Sequence, residues 1–169
     1  MNSEPVNILL LSDTHSYLND AILKHCAAAD EIWHAGDIGS VQVADTLEDL
    51  KPFRAVYGNI DGQEIRRRYP EYLFFDCEGV KVLMIHIGGY PGKYPEKVKN
   101  LIWTHQPDLF ICGHSHILKV IRDQQFNKML CVNPGAAGKQ GFQQMRTMVK
   151  MELGNGKIQS LDVIELGPK

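Results

Sequence analysis

No apolar run in this sequence approaches the length of a membrane span: Ile8 to Leu11 falls far short of the ~20 residues a spanning helix needs. The opening Met1-Asn2-Ser3-Glu4-Pro5 lacks the basic segment, apolar stretch and cleavage site of a secretion signal. The chain is therefore expected to be soluble and cytoplasmic, with no membrane partner. Cysteine is sparse. Cys26, Cys77, Cys112 and Cys131 are widely spaced with no Cys-x-x-Cys pair, and are expected to be reduced and partly buried, Cys112 and Cys131 within apolar strands. Neither charge is in marked excess, with 18 Lys+Arg against 20 Asp+Glu, which argues against a basic nucleic-acid platform and a stable nucleic-acid partner. No internal repeat, low-complexity stretch or linker interrupts the 169 residues, so a single domain over 1–169 is expected, large enough for a proper core.

What is present alternates. Val6 to Leu11 is an apolar run interrupted only by Asn7, suited to a strand buried on both faces. Leu18, Ala21, Ile22 and Cys26 then recur at helical spacing, with Asn19 or Ser16 as N-cap. A strand over 31–35, a helix over 42–50 and a strand over 53–57 follow. Strand, helix, strand, helix, strand predicts a parallel sheet in an α/β fold, whose ligands gather at the carboxyl ends of the strands. Asp13, His15, Asp37 and Asn59 all fall at such ends. The second half is richer in strand: a hairpin of 72–76 and 80–85 about Cys77-Glu78-Gly79, a helix over 95–104, and strands at 108–112, 117–122, 129–132, 146–153 and 157–164, the last two joined by Asn155-Gly156.

Asp13-Thr14-His15 and His114-Ser115-His116 are spaced so that, in extended chain, both side chains of each pair point to one side. Carboxylate, imidazole and amide oxygen together suit manganese, iron, zinc and similar ions better than calcium or soft metals. Taken singly, the residues have plainer readings: Asp37 as a helix cap, Asn59 as a turn residue in Gly-Asn-x-Asp-Gly, His86 as a hydrogen-bonded core histidine. The pair His114 and His116 resists this treatment, because two imidazoles at one strand end are expensive to place without a purpose.

In this order the residues resemble a known family. Asp13-x-His15, Gly36-Asp37, Gly58-Asn59-x-Asp61, His86 and Gly113-His-Ser-His116 are similar to the five motifs of the calcineurin-like metallophosphoesterases. The short chain and Asn133-Pro134-Gly135 resemble the small YfcE-type phosphodiesterase branch. The resemblance covers roughly residues 6–138. It implies a four-layer α/β/β/α fold, a two-sheet β-sandwich flanked by helices, with two divalent metal ions per chain, Mn2+ foremost and Fe, Zn, Ni or Co as alternatives. By the same resemblance Asp13, His15 and His116 hold one ion, Asn59, His86 and His114 the other, and Asp37 bridges them. Asp37, Asn59, Asp61 and His86 are expected to carry catalysis, Asp61 by fixing a neighbouring imidazole.

The implied activity is a phosphodiesterase acting on a small phosphodiester or nucleotide-like substrate through a hydroxide activated by both metals. Alternatives are a non-catalytic interaction scaffold, as in the retromer subunit that shares this fold, and a phosphomonoesterase or nuclease on the same site. A homo-oligomer is compatible with the family. Two positions depart from its pattern. Many relatives carry a histidine after the motif asparagine to protonate the leaving group; here Ile60 stands there, which predicts a preference for aryl esters. Ile87 replaces a frequent glycine after His86, a change expected to be minor beside Gly88-Gly89. In the loop that follows, Tyr90 and Lys93 are candidate substrate contacts together with Asn59. Arg66-Arg67-Arg68 reads as solvated surface, with steering of an anionic substrate as the alternative.

Overall fold

In the computed structural model, which describes residues 4–169, the first apolar run forms strand β1 (Val6–Leu11). The opening Met1-Asn2-Ser3, part of the expected leaderless start, lies outside the described residues. Helix α1 (Asp20–Ala27) follows, capped by Asn19, whose side chain accepts from the Ile22 N–H. Strand β2 (Glu31–His34), helix α2 (Val41–Leu50) and strand β3 (Phe53–Ala55) complete the alternating half. Ser40, not Asp37, caps α2, so the capping role open to Asp37 in the sequence is taken elsewhere. Helix α3 (Gln63–Arg68) carries the arginine run at its C-terminal end, and the periodicity did not foretell it because Ile65 is its one buried residue.

The rest contributes strands β4 (Tyr72–Cys77) and β5 (Val80–Ile85), helix α4 (Glu96–His105), strands β6 (Leu109–Ile111), β7 (Lys119–Asp123), β8 (Met129–Asn133), β9 (Met145–Gly154) and β10 (Lys157–Pro168). A single 3₁₀ turn at 124–126 separates β7 from β8. Both predicted hairpins form, their turns using left-handed Glu78-Gly79 and Asn155-Gly156.

Two five-stranded mixed sheets result, ordered β10-β9-β1-β2-β3 and β4-β5-β6-β8-β7. Strands β1, β2 and β3 run parallel, as do β5, β6 and β8. The alternation of side chains along β1 explains the layering. Ile8 and Leu10 enter the core between the sheets with Trp33, Val82, Met84, Ile111 and Val149. Leu9 and Leu11 point the other way, against Ile22, Cys26, Val43, Leu47 and Ile65 of α1, α2 and α3. On the far side α4 buries Val98 and Ile102 on Leu83, Phe110 and Cys131. Each such fully buried side chain contributes about 1.5–3 kcal/mol. The order is helix, sheet, sheet, helix, the four-layer sandwich. All four cysteines are free and buried, and no helix among the described residues is long and apolar enough to cross a membrane.

Candidate metal centre

The parallel strands of both sheets end at one edge of the sandwich, and the loops leaving β1, β2, β3, β5 and β6 deliver Asp13/His15, Asp37, Asn59, His86 and His114/His116 there. Two groups of potential ligand atoms form, each with its atoms within 4.8 Å of one another: Asp13, His15 and His116; and Asp37, His86 and His114. They are contiguous. His15 Nε2 lies 3.4 Å from Asp37 Oδ2, and His86 Nε2 lies 3.8 Å from Asp13 Oδ1. Asn59 joins the second group, its Oδ1 3.0 Å from His114 Nδ1.

Each carboxylate divides its oxygens between two tasks. Asp13 Oδ2 accepts from Ser12 Oγ at 2.6 Å and from the His114 N–H at 3.1 Å, which leaves Oδ1 facing His116 Nε2 at 3.2 Å and His15 Nε2 at 3.8 Å. Asp37 Oδ1 accepts the Ile60 N–H at 3.0 Å, and Oδ2 faces His86 Nε2 at 3.2 Å. Asp13 Oδ1, His15 Nε2 and His86 Nε2 are buried without a hydrogen-bond partner. Buried polar atoms left unpaired are rare because desolvation costs about 1–3 kcal/mol each. Three of them pointing into one space fit a divalent cation, which takes carboxylate oxygen and neutral imidazole together.

The electrostatics agree. For Asp13, burial works to raise the pKa, but the His116, His15 and His86 imidazoles outweigh it and hold the carboxyl well below the usual range. Asp37 is likewise held low against burial by His15 and His86. The Asp13 carboxylate, then that of Asp37, pushes His15 up to about 9. Burial lowers His86, yet Asp37 and Asp13 leave it raised. Two carboxylates that stay ionised thus demand positive charge, which protons on imidazole or metal cations satisfy.

The backbone of the site corrects one expectation. Asp13, His15, His114 and His116 are not extended: their φ values are 54°, 45°, 72° and 63°, and Asp37 and Ser16 are left-handed too, at 57° and 69°. Tight turning, rather than the two-residue repeat of a strand, aims the side chains. As a result His114 and His116 diverge, one to each group, instead of sharing one side.

Asp61 also departs from expectation. It touches no imidazole; its carboxylate accepts the backbone N–H groups of Gly39 at 2.8 Å, Gly58 at 2.8 Å and Ile38 at 3.2 Å. It thereby clamps the Asp37 loop to the Asn59 loop. The imidazoles are oriented by backbone carbonyls instead, Ala35 for His86 and Gln140 for His116, which no side-chain pattern could reveal. His34, unplaced by the sequence, is fully buried behind the site. Its Nδ1 accepts from the Gly36 N–H at 3.1 Å and its Nε2 donates to Thr14 Oγ1 at 3.0 Å. It is a neutral structural strut and is not placed to protonate a leaving group. Of the arginine run, Arg66 binds the carbonyls of Asp61 and Asn59, while Arg68 pairs with Asp45 and Glu48.

Two clefts of about 280 Å³ each open beside the ligands. One is lined by Ile87, Tyr90, Lys93, His114, Ile117 and Lys119, the other by Tyr57, Asn59, Arg66, His86, Ile87 and Lys97. Ile87, read from sequence as a minor change, is 45% exposed and belongs to both.

A sandwich of this topology with paired Asp/His groups at the strand ends defines a metallophosphoesterase-type hydrolase. Residues 6–156 match the model of the calcineurin-like phosphoesterase superfamily domain, and the chain belongs to that superfamily. A probable metallophosphoesterase of Methanothermobacter thermautotrophicus is 29% identical over 136 residues, 75% of this chain and 74% of that protein. Among solved structures, Vacuolar Protein Sorting 29 from Cryptosporidium parvum shares the fold at a TM-score of 0.75 and 19% identity, covering 98% of this chain and 100% of that one. A predicted phosphoesterase from Streptococcus pneumoniae does so at 0.69 and 18%, covering 96% and 91%. The superfamily implies divalent metal cofactors, and the residues gathered here fit them.

Proposed function

We propose that this protein is a phosphodiesterase with two divalent cations, one held by Asp13, His15 and His116, the other by Asn59, His86 and His114, with Asp37 between them. The observation that carries the reading is the contiguity of the two groups through Asp37, whose Oδ2 lies within 3.4 Å of an imidazole from each. Manganese is the favoured ion for this mixture of oxygen and imidazole donors, with iron, zinc, nickel or cobalt as alternatives. Bound there, such a pair supplies a nucleophilic hydroxide at neutral pH and neutralises charge on the phosphoryl oxygens.

The chain's own residues do the rest. His15, His86 and His116 contribute neutral ligands, which keeps net positive charge for an anionic substrate. Asn59, exposed at the rim, contacts the substrate phosphate. Asp61 acts as a positioning residue through the two loops it clamps.

The two clefts support a diester over a monoester. A diester carries two substituents, and Ile87 stands as the ridge between a cleft for each. Tyr90 and Lys93 line one, and Tyr90 already receives Lys119 Nζ at 4.1 Å from its ring centroid. At the position after Asn59, where a histidine would protonate the leaving group, Ile60 stands 46% exposed and offers no proton. The favoured substrates are small diesters, nucleotide-like ones included, whose leaving group departs unaided. The three buried unpaired ligand atoms favour a metal-dependent role over a purely scaffolding one.

The test is metal content and Mn2+-dependent turnover of bis(p-nitrophenyl) phosphate beside p-nitrophenyl phosphate, in the native protein and Asp37→Ala. Diester turnover exceeding monoester turnover, with metal and activity both lost in Asp37→Ala, is expected. Undiminished turnover in the variant, or no metal uptake by the native protein, overturns the reading.

A further inference from the structure

The pole of the sandwich opposite the metal ligands holds a cavity of about 510 Å³, larger than either cleft beside them. It lies at the starting ends of β5, β6 and β8, whereas the ligands follow the finishing ends of β5 and β6. The six residues of β5 alone separate the two places by roughly 20 Å. We propose that this cavity is a second binding site, for a nucleotide-like ligand: a phosphorylated group attached to a planar ring.

Charge is the first argument. Lys81, Arg122, Lys128 and Lys157 line the cavity against one carboxylate, Asp108, in a chain whose formal net charge is −2. Asp108 is already engaged, because its Oδ2 accepts the Lys81 backbone N–H at 2.9 Å. Among the described residues the Lys and Arg ion pairs are Arg54–Glu31, Arg68 with Asp45 and Glu48, and Lys97–Glu71, so none of these four cations is in one. Four like charges around a concave surface repel one another and focus a positive potential that an anion relieves. Arg122 is also held in place: its Nη1 donates to the Lys128 carbonyl at 2.9 Å, and the rest of its planar fork remains for a phosphate.

The second argument is an aromatic wall. Trp103 of α4 is 60% exposed and meets Phe126 edge-on, with ring centroids 5.3 Å apart. Ile102, Val80 and Met129 form a buried apolar floor beneath. An indole left bare beside an apolar floor and a cationic rim offers a planar ring a stacking surface and its phosphate a partner. The volume lies within the range of small-ligand pockets.

The chain contains its own reporter. Of its two tryptophans, Trp33 is fully buried in the core and Trp103 borders the cavity. The metal-loaded protein is titrated with ADP while tryptophan emission is followed, with pyrophosphate alone and adenosine alone as parallel arms. Saturable quenching by ADP with Kd below about 1 mM is expected, each fragment binding at least about tenfold more weakly. Arg122→Glu with Lys128→Glu should weaken ADP by at least about tenfold while Mn2+-dependent diester turnover stays unchanged. Asp37→Ala should leave the ADP quench intact, which separates this site from the metal centre. The proposal is overturned if ADP gives no saturable quench, if pyrophosphate binds as well as ADP, if an oligonucleotide quenches and ADP does not, if the charge reversals leave ADP binding as it was, or if Asp37→Ala abolishes it.

Discussion

His86 Nδ1 lies 2.8 Å from the carbonyl oxygen of Ala35. A carbonyl only accepts, so Nδ1 carries the proton and Nε2 presents its lone pair toward Asp37. His116 repeats the device, with Nδ1 donating to the Gln140 carbonyl at 2.8 Å and Nε2 turned to Asp13. Backbone carbonyls thereby fix the tautomer each imidazole needs as a metal ligand.

The two histidines of the Gly-His-Ser-His motif serve different groups, so their removal should be distinguishable. His116→Ala should deplete the ion held with Asp13, and His114→Ala the ion held with Asn59 and His86. Each should lower diester turnover by at least about 100-fold. Metal stoichiometry by mass spectrometry against variant checks this; equal depletion of both ions in both variants contradicts the division.

Asp61→Asn retains all seven proposed ligands but exchanges a carboxylate that receives three N–H groups for an amide with one acceptor oxygen. Metal affinity should fall by about 10–100-fold, and stability by about 2–4 kcal/mol as N–H groups lose their partner. Unchanged metal affinity in chelator competition would show that the loop clamp has no bearing on the site.

A Cβ added at Gly58 would stand 2.0 Å from Asp37 Oδ1 and 2.3 Å from the Asp37 backbone nitrogen. Gly58→Ala should therefore displace the Asp37 carboxylate. Loss of metal-dependent turnover, with destabilisation of about 1–3 kcal/mol from overpacking, is the expected outcome. A variant with native turnover would mean that Asp37 is free to move without consequence.

Ile60→His places a proton donor at an exposed position beside Asp37. Turnover of alkyl diesters should rise by at least about tenfold while that of aryl diesters stays nearly constant, because only a poor leaving group needs protonation. A rise of the same size for both classes would place the slow step elsewhere.

Burial, opposed in part by Asp61 and Asp13, brings the pKa of His34 down to about 4 from an ordinary 6.5. Between those values the unfolded chain binds a proton that the folded chain excludes, so stability rises with pH across the window and is lost on acidification. The loss amounts to about 3 kcal/mol. Urea unfolding of the native protein and His34→Gln from pH 7 to 4 isolates it, since the other titrations are common to both. Parallel curves would contradict a neutral His34.

The alternating half was legible because β1 is apolar but for Asn7 and polar residues gather in the loops that follow the parallel strands. α3 was not, since Gln63-Glu64-Ile65-Arg66-Arg67-Arg68 offers a single apolar position and no period. The ligand residues stood out as residue types at strand ends. Their aim did not, because the left-handed φ values of Asp13, His15, His114 and His116 contradict the extended chain that the Asp-x-His and His-x-His spacings suggest. The role of Asp61 is hidden for a related reason: its partners are backbone N–H groups, which every residue but proline carries, so sequence does not single them out. The roles of Ala35 and Gln140 were hidden in the same way. Ile87 could be seen as a departure but not as a ridge, since the two clefts it separates are built by loops distant in sequence.

Six residues of the ligand loops, none of them glycine, hold the left-handed conformation, which costs each of them about 1–2 kcal/mol relative to ordinary backbone. Glycine or asparagine would sit in those turns more comfortably. Replacing these residues by glycine or asparagine relaxes the backbone and removes ligand atoms at the same stroke. In this chain an acid or an imidazole occupies five of those six strained positions, so backbone stability is given up where side chains are presented together.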